Sequence, residues 1–172
     1  MLQKQIISLE EASKIIADEE SHFLDFKSKD ISGSKLQKSV VAFANADGGE
    51  ILVGIEDPRA SGRASIDRWN GFNVQEEANQ LIQTISQDIT PYPPVEFEFY
   101  EVDLLRKKGL VLKINIAKSS SVHTTSDNQV YERKNAQNLP IIGDSIVNLK
   151  LSKGLISYED QLISGFTVDE LT

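Results

Sequence analysis

The chain contains no cysteine. That absence removes disulfide frameworks, Cys-ligated zinc and thiolate catalysis together, and it suits a reducing compartment. Long apolar runs are missing too: no stretch approaches the roughly 20 residues that a membrane span requires. Lys4, Glu10, Glu11 and Lys14 interrupt the N-terminal stretch where a secretory signal would need unbroken apolar sequence. A cytoplasmic protein with no membrane partner is expected. Positive charge is scarce, with 18 Lys and Arg against 26 Asp and Glu and a net charge of −8, which speaks against a protein that coats DNA through a general basic surface. His22 and His123 are the only histidines and neither has a partner at metal-ligand spacing, so zinc is not expected. Ser119, Ser120 and Ser121 lie near His123 without a nucleophile-elbow sequence, which leaves a Ser-His-Asp site unsupported. The G-x-x-x-x-G-K-[ST] phosphate loop is absent as well.

What is present fits one well-buried core: 172 residues, 40% hydrophobic and 26% charged. The expected domain spans 1–155, with 156–172 as a C-terminal helical tail or the start of a linker to a further domain. Charge is unevenly spread. Residues 104–153 hold nine Lys or Arg against Asp127, Glu132 and Asp144, whereas the last eighteen residues hold four acids and no base. A local basic face and ordinary solubilising lysines both account for this.

Ser8-Leu9-Glu10-Glu11 matches a capping box, and Ala12, Ile15 and Ile16 follow as a helical stripe ending near Asp18. Phe23 to Lys27 alternates as a strand with a half-polar face carrying Asp25 and Lys27. Leu36, Val40, Phe43 and Ala44 mark one face of a helix that should stop at Gly48-Gly49, since glycine tolerates the left-handed C-cap conformation. Ile51 to Ile55 reads as a strand buried on both faces. Pro58 to Asn73 reads as a loop and Val74 to Ile89 as a helix, broken by Thr90-Pro91-Tyr92-Pro93-Pro94. Val95 to Leu105 and Leu110 to Ala117 read as antiparallel strands joined by a hairpin turn at Arg106–Gly109. A polar loop with His123, a short strand at Gln129–Lys134 and helical segments at Asp144–Leu151 and Ser157–Ile163 complete the chain. This order predicts an α+β fold, a mixed and mainly antiparallel sheet with helices packed against it.

Three carboxylates are the main chemical clue. Glu20 precedes the first of these strands, Asp25 lies on it, and Glu56 ends the buried strand beside Asp57. If those two strands are neighbours, the acids could converge. Clustered carboxylates repel and persist when hydrogen-bonded, protonated or bridged by a cation. Mg²⁺ or Mn²⁺ suits an all-oxygen site completed by substrate phosphate and water, and would activate a water for phosphodiester attack. Acids at strand ends also form structural ion pairs, and Lys27 has an obvious partner in Asp25.

Glu20-Ser21, Leu24-Asp25-Phe26-Lys27, the run Phe43-Ala44-Asn45-Ala46-Asp47-Gly48-Gly49-Glu50-Ile51-Leu52-Val53-Gly54-Ile55-Glu56-Asp57 and the later Val130-Tyr131-Glu132-Arg133-Lys134-Asn135 together resemble the Schlafen AlbA-like domain family. The likeness extends from about Asp18 to Pro140. It implies an α+β nucleic-acid-associated module, DNA- or RNA-binding, often N-terminal in larger bacterial proteins described as regulators. In animal Schlafen proteins related domains form a metal-dependent endoribonuclease acting on structured RNA such as transfer RNA. Its acids fall here on Glu20, Asp25 and Glu56, with Asp57 adjacent as a further metal ligand. Asp25 stands where the family usually has Glu, and Glu56 where Asp is usual.

Three functions follow. A binding module would grip nucleic-acid backbone with Lys27, Lys29, Lys35, Lys38, Arg133 and Lys134, with Tyr131 as a stacking platform. An endoribonuclease would use Glu20, Asp25 and Glu56 with Mg²⁺ or Mn²⁺. A protein-interaction or oligomerisation domain, for instance a homodimer, would use neither.

Overall fold

The computed structural model describes residues 1–58 and 65–155. Regular structure begins before the sequence pattern announces it. Lys4–Ile7 forms strand β1, of which Ile7 alone is buried, so no alternation marks it. Helix α1, Leu9–Ala17, starts at the expected capping box: Glu11 N–H donates to Ser8 Oγ at 3.1 Å and Ser8 N–H to Glu11 Oε2 at 2.9 Å. Strand β2, Leu24–Lys27, leads through helix α2, Gly33–Asn45, into strand β3, Gly49–Val53.

The α2–β3 junction needs both of its glycines. Gly48 has φ +75° and donates its N–H to Phe43 O at 2.9 Å, closing the helix end. A Cβ there would lie 2.5 Å from Ile116 O, and one on Gly49 would lie 2.5 Å from Phe23 O. The pair allows the helix end to approach the backbone at Phe23 and at Ile116 together.

A 3₁₀ turn, Gln75–Ala78, tightens the start of helix α3, Asn79–Asp88, inside the helical region expected from Val74 to Ile89. Strands β4, Val95–Val102, and β5, Val111–Ile116, pair antiparallel, but a tight hairpin turn does not join them. A 3₁₀ segment, Asp103–Lys108, does so, with Arg106 bound to Asp103 at 2.8 Å and Glu101 at 3.4 Å. In the described part of the expected Pro58–Asn73 loop, a 3₁₀ turn at Ile66–Arg68 precedes Trp69. That ring is buried and its Nε1–H donates to Gly109 O at 3.1 Å. Strands β6, Val130–Lys134, and β7, Gln137–Ile141, form a hairpin, followed by helix α4, Asp144–Ser152. The helical segment expected at Ser157–Ile163 and the tail at 156–172 lie outside the described residues.

The main sheet has the order β1-β4-β5-β3-β2. β1 runs parallel to β4 and β2 parallel to β3, while β5 is antiparallel to both its neighbours. With the antiparallel β6–β7 hairpin the fold is α+β, as expected. One sheet face packs on α2 and α3 through Ile51, Val53, Leu112, Ile114 and Phe99. The other is partly covered by α1 and the Trp69 segment.

Helix α2 is buried beyond the single face its periodicity indicates. From Leu36 to Asn45 every residue except Lys38 is buried, because the β6–β7 hairpin covers the side away from the sheet. Each large apolar side chain so enclosed contributes about 1.5–3 kcal/mol. The buried polar residues stitch the layers together. Gln37 Nε2 donates to Thr84 Oγ1 at 2.7 Å, and Asn138 Nδ2 to Ser39 Oγ at 3.0 Å. Asn45 donates to His123 O at 3.0 Å and Tyr131 O at 2.9 Å, and accepts from His123 N–H at 2.7 Å.

Candidate nucleic-acid interface

Parallel pairing makes β2 and β3 neighbours, which is the arrangement the three-acid reading requires. It unites only two of those acids. Asp25 pairs in register with Ile51 on the α2 side of the sheet and is 2% exposed. Its Oδ2 lies 3.0 Å from Lys27 Nζ and 3.7 Å from Arg133 Nη1. The Glu20 carboxyl adjoins it and also accepts Phe26 N–H at 3.2 Å. Partial burial first, then the shared hydrogen bond and the negative charge of Asp25, push the Glu20 pKa up. A proton on Glu20 therefore eases the contact between the two acids.

Glu56 turns elsewhere. Its Oε1 accepts from Asn70 Nδ2 at 3.0 Å and Ser28 Oγ at 3.3 Å, while its backbone carbonyl holds buried Arg68 through Nε at 2.6 Å. Asp57 is exposed and lines, with Glu20, Asp18, Glu19 and Arg68, a cleft of about 430 Å³ beneath the end of α1. Among the described residues no group of three His, Asp or Glu is disposed to hold a metal ion. Glu20 and Asp25 therefore meet each other, with Lys27 and Arg133 beside Asp25, while Glu56 is bound to Asn70 and Ser28.

The cations proposed for nucleic acid separate just as clearly. Lys27, Lys35, Lys38 and Tyr131 line one groove, of about 560 Å³, together with Ser28, Asp30, Ser32, Ser39 and Asn138. β2 supplies Lys27, the first half of α2 supplies Lys35 and Lys38, and β6 supplies Tyr131. Lys35 and Lys38 stand about one turn apart on α2 and are exposed; Lys38 Nζ lies 5.7 Å from the centre of the Tyr131 ring. The first turn of α2 contains no acid, so its dipole adds to the positive field at this end.

Lys29 leaves this set: its Nζ donates to Gly71 O at 3.4 Å, and it lines the adjacent cleft with Glu77 and Asp88. Lys134 is exposed at the end of β6, outside the groove lining. Arg133 is a correction, for it is 2% exposed and faces inward. It donates to Ser21 O at 2.8 Å, Leu24 O at 3.1 Å and Asn138 Oδ1 at 2.8 Å, and its guanidinium lies 4.6 Å from the Phe43 ring centre. The hairpin is pinned to β2 and α2 by this one side chain, which is why its charge does not reach solvent.

The basic stretch from 104 to 153 also does not form a face. Lys108 pairs with Asp67 at 2.9 Å, Lys113 with Glu50 and Glu98 at 3.3 and 3.5 Å, and Lys118 with Asp47 at 3.4 Å. The hydrogen bond from His22, at 2.7 Å, holds the Asp47 carboxyl below its ordinary pKa, and Lys118 adds to this. His123 and Ser119 do meet, with Nε2 2.6 Å from Oγ. His123 Nδ1 lies 2.7 Å from Pro91 O, an acceptor only, so Nδ1 carries the proton and Nε2 accepts the Ser119 hydroxyl. Ser119 Oγ also accepts Ser121 N–H at 3.1 Å, so the contact staples a loop.

The profile of the family described as Schlafen, AlbA_2 matches residues 20–142. The chain belongs to the Schlafen AlbA_2 family. The matched span of this AlbA_2 domain runs from Glu20 through β7 and so contains the whole groove and the acid pair. Among solved structures it is similar to the DIP2311 protein from Corynebacterium diphtheriae, with a TM-score of 0.54 and 20% identity. That likeness covers 84% of this chain and 28% of the other, and it concerns the fold. No curated protein matches the chain significantly. Among the described residues of the AlbA_2 chain, no helix is long and apolar enough to cross a membrane.

Proposed function

We propose that this AlbA_2 domain is a nucleic-acid-binding module whose contact surface is the groove of Lys27, Lys35, Lys38 and Tyr131. The observation that carries the proposal is convergence: three separate elements deliver three lysines and one aromatic ring to a single groove. Of these lysines, Lys35 and Lys38 make, among the described residues, none of the ion pairs that engage Lys108, Lys113 and Lys118. Lys35 and Lys38 are exposed on the outer side of α2, ready to meet phosphate, and Lys27 is shared with Asp25. Ser28 and Ser32 add hydroxyl groups at the rim. Phosphate contacts of this kind position a nucleic acid without reading its sequence.

Binding in this reading does not use Glu20 or Glu56, and Asp25 enters only as the buried partner of Lys27. The test is fluorescence anisotropy with labelled RNA and DNA oligonucleotides, comparing wild type with Lys35→Ala/Lys38→Ala. Both positions are exposed, so the fold should survive and the affinity should fall. Equal affinity of the two proteins would remove the groove from the binding surface. Lys27 is unsuitable for this test because its removal would also leave buried Asp25 with one cation fewer.

A further inference from the structure

Resting on the groove as the nucleic-acid site, we infer that its ligand is single-stranded, with one base stacked on Tyr131, and is bound with little regard for sequence. The Tyr131 ring packs against the core beneath it, yet the residue is only half-buried. Lys38 Nζ, on an exposed residue, stands over the ring at 5.7 Å from its centre. A base can therefore take the place of the ammonium on the ring, and the freed ammonium is then within one side-chain swing of that nucleotide's phosphate. Stacking and charge are gained from the same displacement. A duplex cannot use this arrangement, because its bases are already stacked and its edges, not its faces, meet a protein.

Charge leads to the same ligand. Three lysines in a groove of about 560 Å³ match a few phosphates in sequence along one strand. A duplex would spread its two phosphate rows beyond the groove, over a chain of net charge −8. The polar groups nearest the floor are already committed. Asn138 donates to Ser39 Oγ at 3.0 Å and accepts from Arg133 Nη1 at 2.8 Å. Side chains so engaged are poorly placed to read base edges, whereas a ring face accepts any base.

The experiment uses the full chain and three labelled probes, oligo(dT), oligo(dA) and a mixed-sequence duplex of equal length, in low salt. Tyr131→Leu keeps apolar packing without the ring, and Tyr131→Phe keeps the ring. The expected result is tighter binding of both single strands than of the duplex. Tyr131→Leu should weaken the single strands about 5- to 150-fold, the range of a lost base–aromatic stack, and leave the duplex unchanged. Tyr131→Phe should bind as wild type, which separates loss of stacking from a damaged fold. If duplex and single strand bind equally and Tyr131→Leu matches wild type, with Lys35→Ala/Lys38→Ala still weaker, the single-strand inference falls and the groove stands. If the double lysine variant binds every probe as wild type does, both fall.

Discussion

Replacing Arg133 with methionine separates a structural cation from a ligand-binding one. The side chain is 2% exposed, as is its partner Asp25, and it satisfies the backbone carbonyls of Ser21 and Leu24 and the amide oxygen of Asn138. Arg133→Met keeps much of the volume but removes every donor. Breaking a buried pair by deleting one partner costs about 3–5 kcal/mol, since the remaining charge is left without compensation. Lys27 still neutralises part of Asp25 at 3.0 Å, so the lower half of that range is expected. Against a total stability of about 5–15 kcal/mol this is a large fraction, visible as an earlier midpoint in urea with an unchanged slope. Asp25→Asn in the same background should recover part of the loss, because a neutral amide needs no counter-charge. A loss below about 1 kcal/mol, together with weakened nucleic-acid binding, would refute the inward role and return Arg133 to the surface set.

Three further predictions follow from particular contacts. Gly48→Ala should cost about 2–4 kcal/mol, since φ +75° strains an alanine and its Cβ would meet Ile116 O at 2.5 Å; a thermal melt matching wild type would contradict this. Glu20 has a raised pKa in the fold, so its ionised form destabilises at neutral pH and this penalty fades as pH falls toward 4.5. Glu20→Gln should accordingly raise the melting temperature at pH 7–8 and lose its advantage near pH 4.5; the opposite trend would show that the charge is wanted. Burial lowers the His123 pKa, so stability should drop as pH falls below 6.5, where the unfolded chain takes up the proton more readily. His123→Gln should flatten that part of the melting-temperature profile, and an unchanged profile would argue against a neutral buried ring.

The local parts of this fold were legible because short-range chemistry writes them. Ser8 and Glu11 form the capping box their spacing announces, and Gly48 ends α2 where its left-handed tolerance is needed. Strands β2 to β5 follow their hydrophobic patterns to within a few residues. β1 was missed because an edge strand burying only Ile7 has no alternation. β7 has little strand pattern to read, since Gln137, Asn138 and Pro140 leave only Leu139 and Ile141 apolar. The polar run Arg106–Gly109 reads as a hairpin turn, whereas the connection is a 3₁₀ segment that begins three residues earlier, at Asp103.

The site was harder, since its composition is set by contacts far apart in sequence. Arg133 looked like its neighbour Lys134, and only the docking of the hairpin 112 residues after Ser21 decides that one points in and the other out. Asp25 lies on β2, with Glu20 before that strand and Glu56 beyond the end of the neighbouring β3, but the direction in which each carboxylate points is not encoded in their spacing. Glu56 is claimed by Asn70, from a segment read simply as loop. Conversely, Lys35 and Lys38 could be named from sequence because an exposed helix face is a local property.

The central claim is that nucleic acid is held by the lysines of one groove, and the salt dependence of binding tests it most directly. Single-strand affinity measured from low to moderate ionic strength should fall with a log–log slope of roughly −2, about −0.7 for each of three phosphate contacts. Lys35→Ala/Lys38→Ala should bring that slope to roughly −0.7. A slope that is flat in the wild type, or the same in both proteins, would contradict the account.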